Sequence, residues 1–224
     1  MRRFVIYLKI LLGLPKSLLI NLYYFGIQGL RFPILVVWRT RLSSVRGKVI
    51  IKQPIRFGLI RIGFSSVAMS SCHEWNVWNV KGTIIFEGTS VFGTGSRLFV
   101  GQNGQLTIGD NFLLTATGEI CCTYEVSIGH NVLFSWDILL MDTDSHPIRD
   151  EKNEIINLDK PVHIGNNVWI GCQALILKGA IISNDSVVGA GTVVNKQFQI
   201  PSVVIAGSPA SVVKKNIRWL REVF

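Results

Sequence analysis

A strict spacing of six constrains this chain more than any other feature. From residue 164 it reads IGNNVW, IGCQAL and ILKGAI, then after Ile182 again VGAGTV. Ile164, Ile170, Ile176, Ile182 and Val188 recur at six, and Val194 continues the series. Four places after each stand Val168, Ala174, Ala180, Ser186 and Thr192, all small or medium. An amphipathic helix repeats at 3.6 and an alternating strand at 2, so neither holds a strict six. A coil of short strands does: the aliphatic residue points inward and the small one fits near the turn. Gly165, Gly171 and Gly189 follow the aliphatic position, where a side chain or a negative φ is expected to be costly. Stacked coils then bury one continuous apolar column and pair their backbones with their neighbours.

The period extends upstream with interruptions. Phe86, Phe92 and Leu98 are six apart, as are Ile108 and Leu114, and then Ile128, Phe134 and Leu140. It stops after Leu140 and resumes at Ile164, which leaves Met141–His163 as a loop thrown out of the coil. Long irregular loops on a rigid repeat scaffold are usually functional.

Charge is distributed unevenly. Residues 1–73 hold 12 of the 23 basic residues and no Asp or Glu, leaving 11 basic against all 14 acidic residues in 74–224. The net charge of +9 therefore belongs to one end, as in a membrane-facing segment or surface arm. No nucleic-acid-binding module appears in that segment, so no nucleic-acid partner is expected. Lys9, Lys16 and Arg31 cut its apolar run, whose longest piece, 17–30, is short of a bilayer span. Arg2, Lys9 and Lys16 lie seven apart and share one face of a helix. Pro15 is expected to kink or break that helix. A basic face with an apolar back fits either a helix at the membrane interface or a cap on the main domain. Tyr23, Tyr24 and Trp38 have rings suited to the headgroup level. Cys72, Cys121, Cys122 and Cys172 show no pairing pattern and no cleavage site follows the N-terminal apolar stretch, which fits reduced thiols in the cytoplasm. The expected divisions are an extension over 1–61, a β-helix over 62–215 carrying the loop, and a helical tail over 216–224.

In these motifs the sequence resembles the hexapeptide-repeat acyltransferases, mainly β proteins built on a left-handed parallel β-helix. The resemblance covers about residues 83–215 and is most specific in 162–210, where VHIGNNVWIGCQALILKGAIISNDSVVGAGTVV is followed by VIAGSPASVV. Handedness comes from the resemblance alone, since general topology favours right-handed crossovers. The resemblance implies a CoA-dependent enzyme, with acetyl-CoA as co-substrate, and assembly as a homotrimer with each site between adjacent β-helices. In the branch acting on sugar hydroxyls, a His-Pro in the extruded loop carries the catalytic base, which maps to His146 beside Pro147. Imidazole, with an ordinary pKa near 6.5, is available as a base at neutral pH. Asp142 or Asp144 would orient the ring or hold the acceptor. For the co-substrate the resemblance implies Trp169, Gly171, Cys172, Ala190, Asn195 and Lys196, with Ser211 and Lys214 near the C-terminus. Cys172 and Ser211 depart from the commoner Ser and basic residue.

Three further readings stay open. His163 has a structural or site-lining role, His130 is a surface residue in a turn, and His73 lies outside the repeat. A related family binds zinc through three histidines, two of them five apart. Here 130, 146 and 163 are separated by 16 and 17, so no metal is expected. The leading function is O-acetylation of a sugar in bacterial surface-polysaccharide synthesis, on a free sugar or lipid-linked glycan. The alternatives are N-acetylation of an amino sugar and a non-catalytic scaffold.

Overall fold

Three hexads make one turn, because consecutive strands of the repeat belong to three different sheets. The computed structural model describes residues 2–71 and 73–221, without the side chains of 2 and 3; Cys72 lies outside the described residues. One sheet has nine strands and the other two have seven, so seven complete coils stack, followed by a hairpin. Every pairing between coils is parallel, while the closing strands Val203–Gly207 and Ala210–Lys215 pair antiparallel.

The register shows why the spacing is six. Ile164 pairs with Ile182, Ile170 with Val188 and Ile176 with Val194, each 18 residues on. The first sheet carries an inward column through Phe92, Leu114, Phe134, Ile170, Val188 and Ile205, and all six are buried. Parallel columns run through Leu98, Ile120, Leu140 and Ile176, and through Phe86, Ile108, Ile128 and Ile164. Each buried side chain of this size contributes about 1.5–3 kcal/mol before conformational entropy is subtracted. The small residues Ala174, Ala180, Ser186 and Thr192 are fully buried where the chain turns.

The corners revise the expectation for the glycines. Gly165 and Gly171 are required for space: a Cβ would meet Asn184 Oδ1 at 2.4 Å or the Ala190 nitrogen at 2.6 Å. Neither they nor Gly189 has positive φ; the left-handed position lies two residues later, at Asn167, Gln173, Gly179, Asp185 and Gly191. Polar residues tolerate it there because their side chains bond locally. At one corner they also form a ladder. Asn184 Oδ1 accepts from Asn166 N, Asn166 Oδ1 from His130 N, and His130 Nδ1 from Asp110 N. His130 is thus an exposed corner residue doing the work of an asparagine.

The N-terminal part departs from the expected division. The helix α1 (Arg2–Phe25) runs through Pro15 without interruption. Pro15 lies on the exposed face, so the lost hydrogen bond faces away from the packing. With the 3-10 turn Gly26–Arg31 it makes a 28-residue stretch, Phe4–Arg31, long and apolar enough to cross a membrane by length and composition. Coiling begins already at the strand Ile34–Val36, which pairs with Ile60–Ile62. That first strand would present an open sheet edge, and α1 closes it. Asn21 Oδ1 accepts from Ile34 N at 3.0 Å while its Nδ2 donates to Ile34 O at 2.6 Å; Ser17 Oγ accepts from Val36 N at 3.0 Å. Gly13 allows this approach, since a Cβ there would overlap Val36 O.

At the other end no helix forms over 216–221, in place of the expected helical tail; 222–224 lie outside the described residues. Asn216 is left-handed, and the tail bonds the corners instead. Trp219 Nε1 donates to Asn167 O at 2.6 Å and Arg221 to Asn111 O at 2.7 Å.

Candidate active site

The extruded loop leaves the coil after the strand Leu139–Met141 and returns at Val162–Ile164. Its base is fixed by Asp142, which is fully buried. Asp142 Oδ1 accepts from Thr123 N at 2.8 Å and Thr123 Oγ1 at 3.0 Å, and Oδ2 accepts from Tyr124 N at 2.9 Å. Its carboxylate therefore locks the loop to the preceding coil. The burial of nearby Cys121, with the charges of Asp142, Asp159 and Glu119 adding, pushes that thiol up to about 11; the Cys122 thiol is also raised, mainly by burial.

His146 is exposed on the outer part of the loop, and one asparagine bonds the residues on both sides of it. Asn157 Nδ2 donates to Asp144 Oδ2 and to His146 O, both at 2.9 Å, and Asn157 Oδ1 accepts from Ile148 N at 2.6 Å. Lys178, from the next coil, completes the tether. Its Nζ is 2.6 Å from Asp144 Oδ2 and donates to Asn157 O at 2.6 Å. The hydrogen bonds from Lys178 and Asn157 hold the Asp144 carboxyl below the usual carboxylate range. Asp142 and Asp144, expected to orient the ring or hold the acceptor, have these hydrogen-bond partners instead of the imidazole. Asp142 bonds the turn at 123–124, and Asp144 bonds Lys178 and Asn157.

The residues implied for the co-substrate fall at different edges of the prism. Trp169 lies in the first sheet, 39% exposed, with Nε1 donating to Ser135 Oγ at 3.0 Å and its ring 6.2 Å from Trp219. Gly171, Cys172 and Ala190 follow at the corner leading to the second sheet, where Gly191 N donates to Cys172 O at 2.9 Å. Ser211 and Lys214 lie on the hairpin strand extending that first sheet, opposite Ala206 and Val204. Asn195 and Lys196 sit instead at the corner between second and third sheets, between Val193–Val194 and Gln197–Phe198. The His146 loop leaves from that same corner, two coils upstream in the stack. One chain thus places the two groups apart. A CoA arm with its phosphates fits the materials present: Gly191 faces open space, and Lys196 and Lys214 are exposed without an ion-pair partner among the described residues. His163 is partly buried and its Nδ1 lies 2.7 Å from Ser127 Oγ, a structural contact within the third sheet.

The family model for "Bacterial transferase hexapeptide (six repeats)" matches residues 161–196. The chain is 39% identical over 127 residues to galactoside O-acetyltransferase of Escherichia coli (strain K12), covering 55% of this chain and 57% of that one. It is 35% identical over 137 residues to polysialic acid O-acetyltransferase of Escherichia coli O1:K1 / APEC, covering 60% and 42%. The crystal structure of the polySia-specific acetyltransferase NeuO superimposes with a TM-score of 0.52 at 25% identity, over 84% of this chain and 79% of that one. The chain carries the hexapeptide repeat over residues 161–196 and is similar to the hexapeptide-repeat acyltransferase family. Its fold is the left-handed parallel β-helix of that family. It spans about half the length of the curated relatives it matches.

Asn157, Lys178 and Thr123 lie outside the site residues expected from the sequence. Lys178 interrupts an otherwise apolar hexad, ILKGAI, which is the one local signal that it serves something outside the coil. Asn157 carries no periodic signal at all.

Proposed function

We propose that this protein is an acetyl-CoA-dependent O-acetyltransferase acting on a sugar hydroxyl, with His146 as general base. The observation that carries the reading is the loop itself: a long segment leaves the coil at one corner, and Asp142, Asn157 and Lys178 are all spent on holding a short stretch of it around an exposed His-Pro. Sequence relatives named as galactoside and polysialic acid O-acetyltransferases support the sugar-hydroxyl class.

In the proposed reaction acetyl-CoA supplies an activated thioester. His146 accepts the acceptor hydroxyl proton as its oxygen attacks the thioester carbonyl, and returns that proton to the departing thiolate. A backbone N–H stabilises the charge on the carbonyl oxygen. Asp142 and Asp144 act as positioning residues, the first through the loop base and the second through Asn157 and Lys178. The separation of the His146 corner from the Trp169, Cys172 and Ala190 edge favours a site completed between neighbouring chains, as in a closed homotrimer. We place the reaction in the cytoplasm, in surface-polysaccharide synthesis with a free or lipid-linked glycan as acceptor.

The test is CoA release from acetyl-CoA across a panel of sugar acceptors, followed by mild alkali treatment of the product. An alkali-labile acetyl ester is expected. An alkali-stable amide assigns the enzyme to amino sugars, and no turnover with any acceptor removes the enzymatic reading.

A further inference from the structure

The helix α1 is mounted with its polar side inward. Lys9 Nζ donates to Gly63 O at 3.0 Å, and Lys16 Nζ to Trp38 O and Thr40 O at 2.6 and 2.8 Å. Ser17 and Asn21 on the same face are buried against the edge strand. The cations that would mark a headgroup-facing side are thus spent on carbonyls at the end of the coil. The opposite face, turned away from the coil stack, is apolar along its whole length. Phe4, Leu11 and Leu18 repeat at seven in register opposite Lys9 and Lys16, and Leu22, Ile27 and Leu30 continue the surface. Phe4 is 71% exposed, Leu11 65% and Ile27 86%. Monomeric soluble proteins rarely leave a contiguous apolar surface of this extent uncovered.

We infer that α1 and the turn Gly26–Arg31 are embedded side-on in a lipid bilayer, apolar face down, so that the solenoid stands with its N-terminal end on the membrane. Charge identifies the occupant. The chain up to Ile62 has no acidic residue, and Arg31, Arg41, Arg46, Lys48, Arg56 and Arg61 are exposed on this end of the solenoid. An anionic headgroup layer complements such a rim, whereas a second copy of this face would bring the same positive rim against itself. Exposed Tyr7, Tyr23 and Trp38 add rings that favour the headgroup level. Lying in the plane, not crossing, follows from the inner face. To span the bilayer α1 would have to abandon the edge strand, leaving the Ile34 and Val36 backbone groups and two lysines without partners.

This inference is independent of the acetyl-transfer chemistry and is tested without it. The full chain is mixed with phosphatidylglycerol-containing vesicles and floated on a sucrose gradient at low salt and at about 1 M salt, where surface attraction is screened. The wild type is expected to float under both conditions. The variant Phe4→Asp, Leu11→Asp, Leu18→Asp is expected to float at least roughly tenfold less with unchanged thermal unfolding, since all three side chains are exposed. On the wild type alone, photoactivatable lipid is expected to label residues 4–30 and not the coils beyond residue 112. Failure of the wild type to float, complete release at high salt, equal flotation of the variant, or labelling confined to the distal coils overturns the proposal. So does a non-floating wild type whose assemblies the variant dissolves, because the face is then covered by another copy.

Discussion

The coils and the extruded loop hold their shapes by different means. In the coils each position is fixed by a repeated backbone pairing and an aliphatic neighbour 18 residues away, as in the pairs Ile164 with Ile182 and Ile170 with Val188. In the loop one isolated backbone bridge joins Arg149 and Ile155, and the stretch around His146 is tied to the coil through the side chains of Asp142, Asn157 and Lys178. A repeat distributes stability over many equivalent contacts, whereas a loop pinned by single side chains concentrates its geometry in a few of them. Coil substitutions should therefore register in stability, and loop substitutions in rate.

The sharpest way to break that contrast is a core truncation. Phe134 is fully buried and packs edge-on against Phe112 at 5.2 Å between ring centres. Phe134→Ala is expected to cost about 3–5 kcal/mol in chemical unfolding, with residual activity per folded molecule preserved. Next in size is Asn157→Ala, which frees the segment from Asp144 to Ile148. It is expected to lower kcat by roughly 10–100-fold, the scale of a small misplacement of a catalytic group, while the melting temperature stays within about 2 °C. A large loss of stability in that variant would show that the loop is part of the folding core.

Two smaller effects sharpen the same comparison. Cys121 lies at the foot of the loop with its thiol pushed up to about 11, so its alkylation at pH 8 is expected to be far slower than that of a free thiol; mass spectrometry of iodoacetamide-treated native protein reads this. Asp144 gives the smallest signal. Its carboxyl is held below the ordinary 3.8 by Lys178 and Asn157, so the tether is fully present above that value and is lost as pH falls through the lowered one. In the His146→Ala protein, which has no imidazole two residues away, the Ile148 amide shift in NMR is expected to stay constant between about pH 5 and 8, and a titration of that amide within the window would contradict the assignment of the tether.

What the sequence revealed follows the same line. The columns through Ile164, Ile170 and Ile176 were legible because a period survives any ignorance of side-chain detail. The tether was not, because Asn157 reaches Asp144 across 13 residues and Lys178 reaches Asn157 across 21 with no repeat to announce either. For α1 the spacing of Lys9 and Lys16 gave the faces correctly but not which one the coil would take. That choice is made by the unpaired edge of Ile34–Val36, which accepts the polar face and leaves the apolar one outside. The corner asparagines show a third case, in which the residue type was visible and its left-handed backbone was not.

In the proposed mechanism this tethered loop presents the base for acetyl transfer. That role is tested most directly by CoA release at saturating acceptor and acetyl-CoA for the wild type and His146→Ala. Because His146 is exposed and outside the coil, the variant is expected to unfold at the wild-type temperature and to lose about 10²–10⁴-fold in kcat. Turnover close to wild type in a properly folded His146→Ala protein would contradict the account.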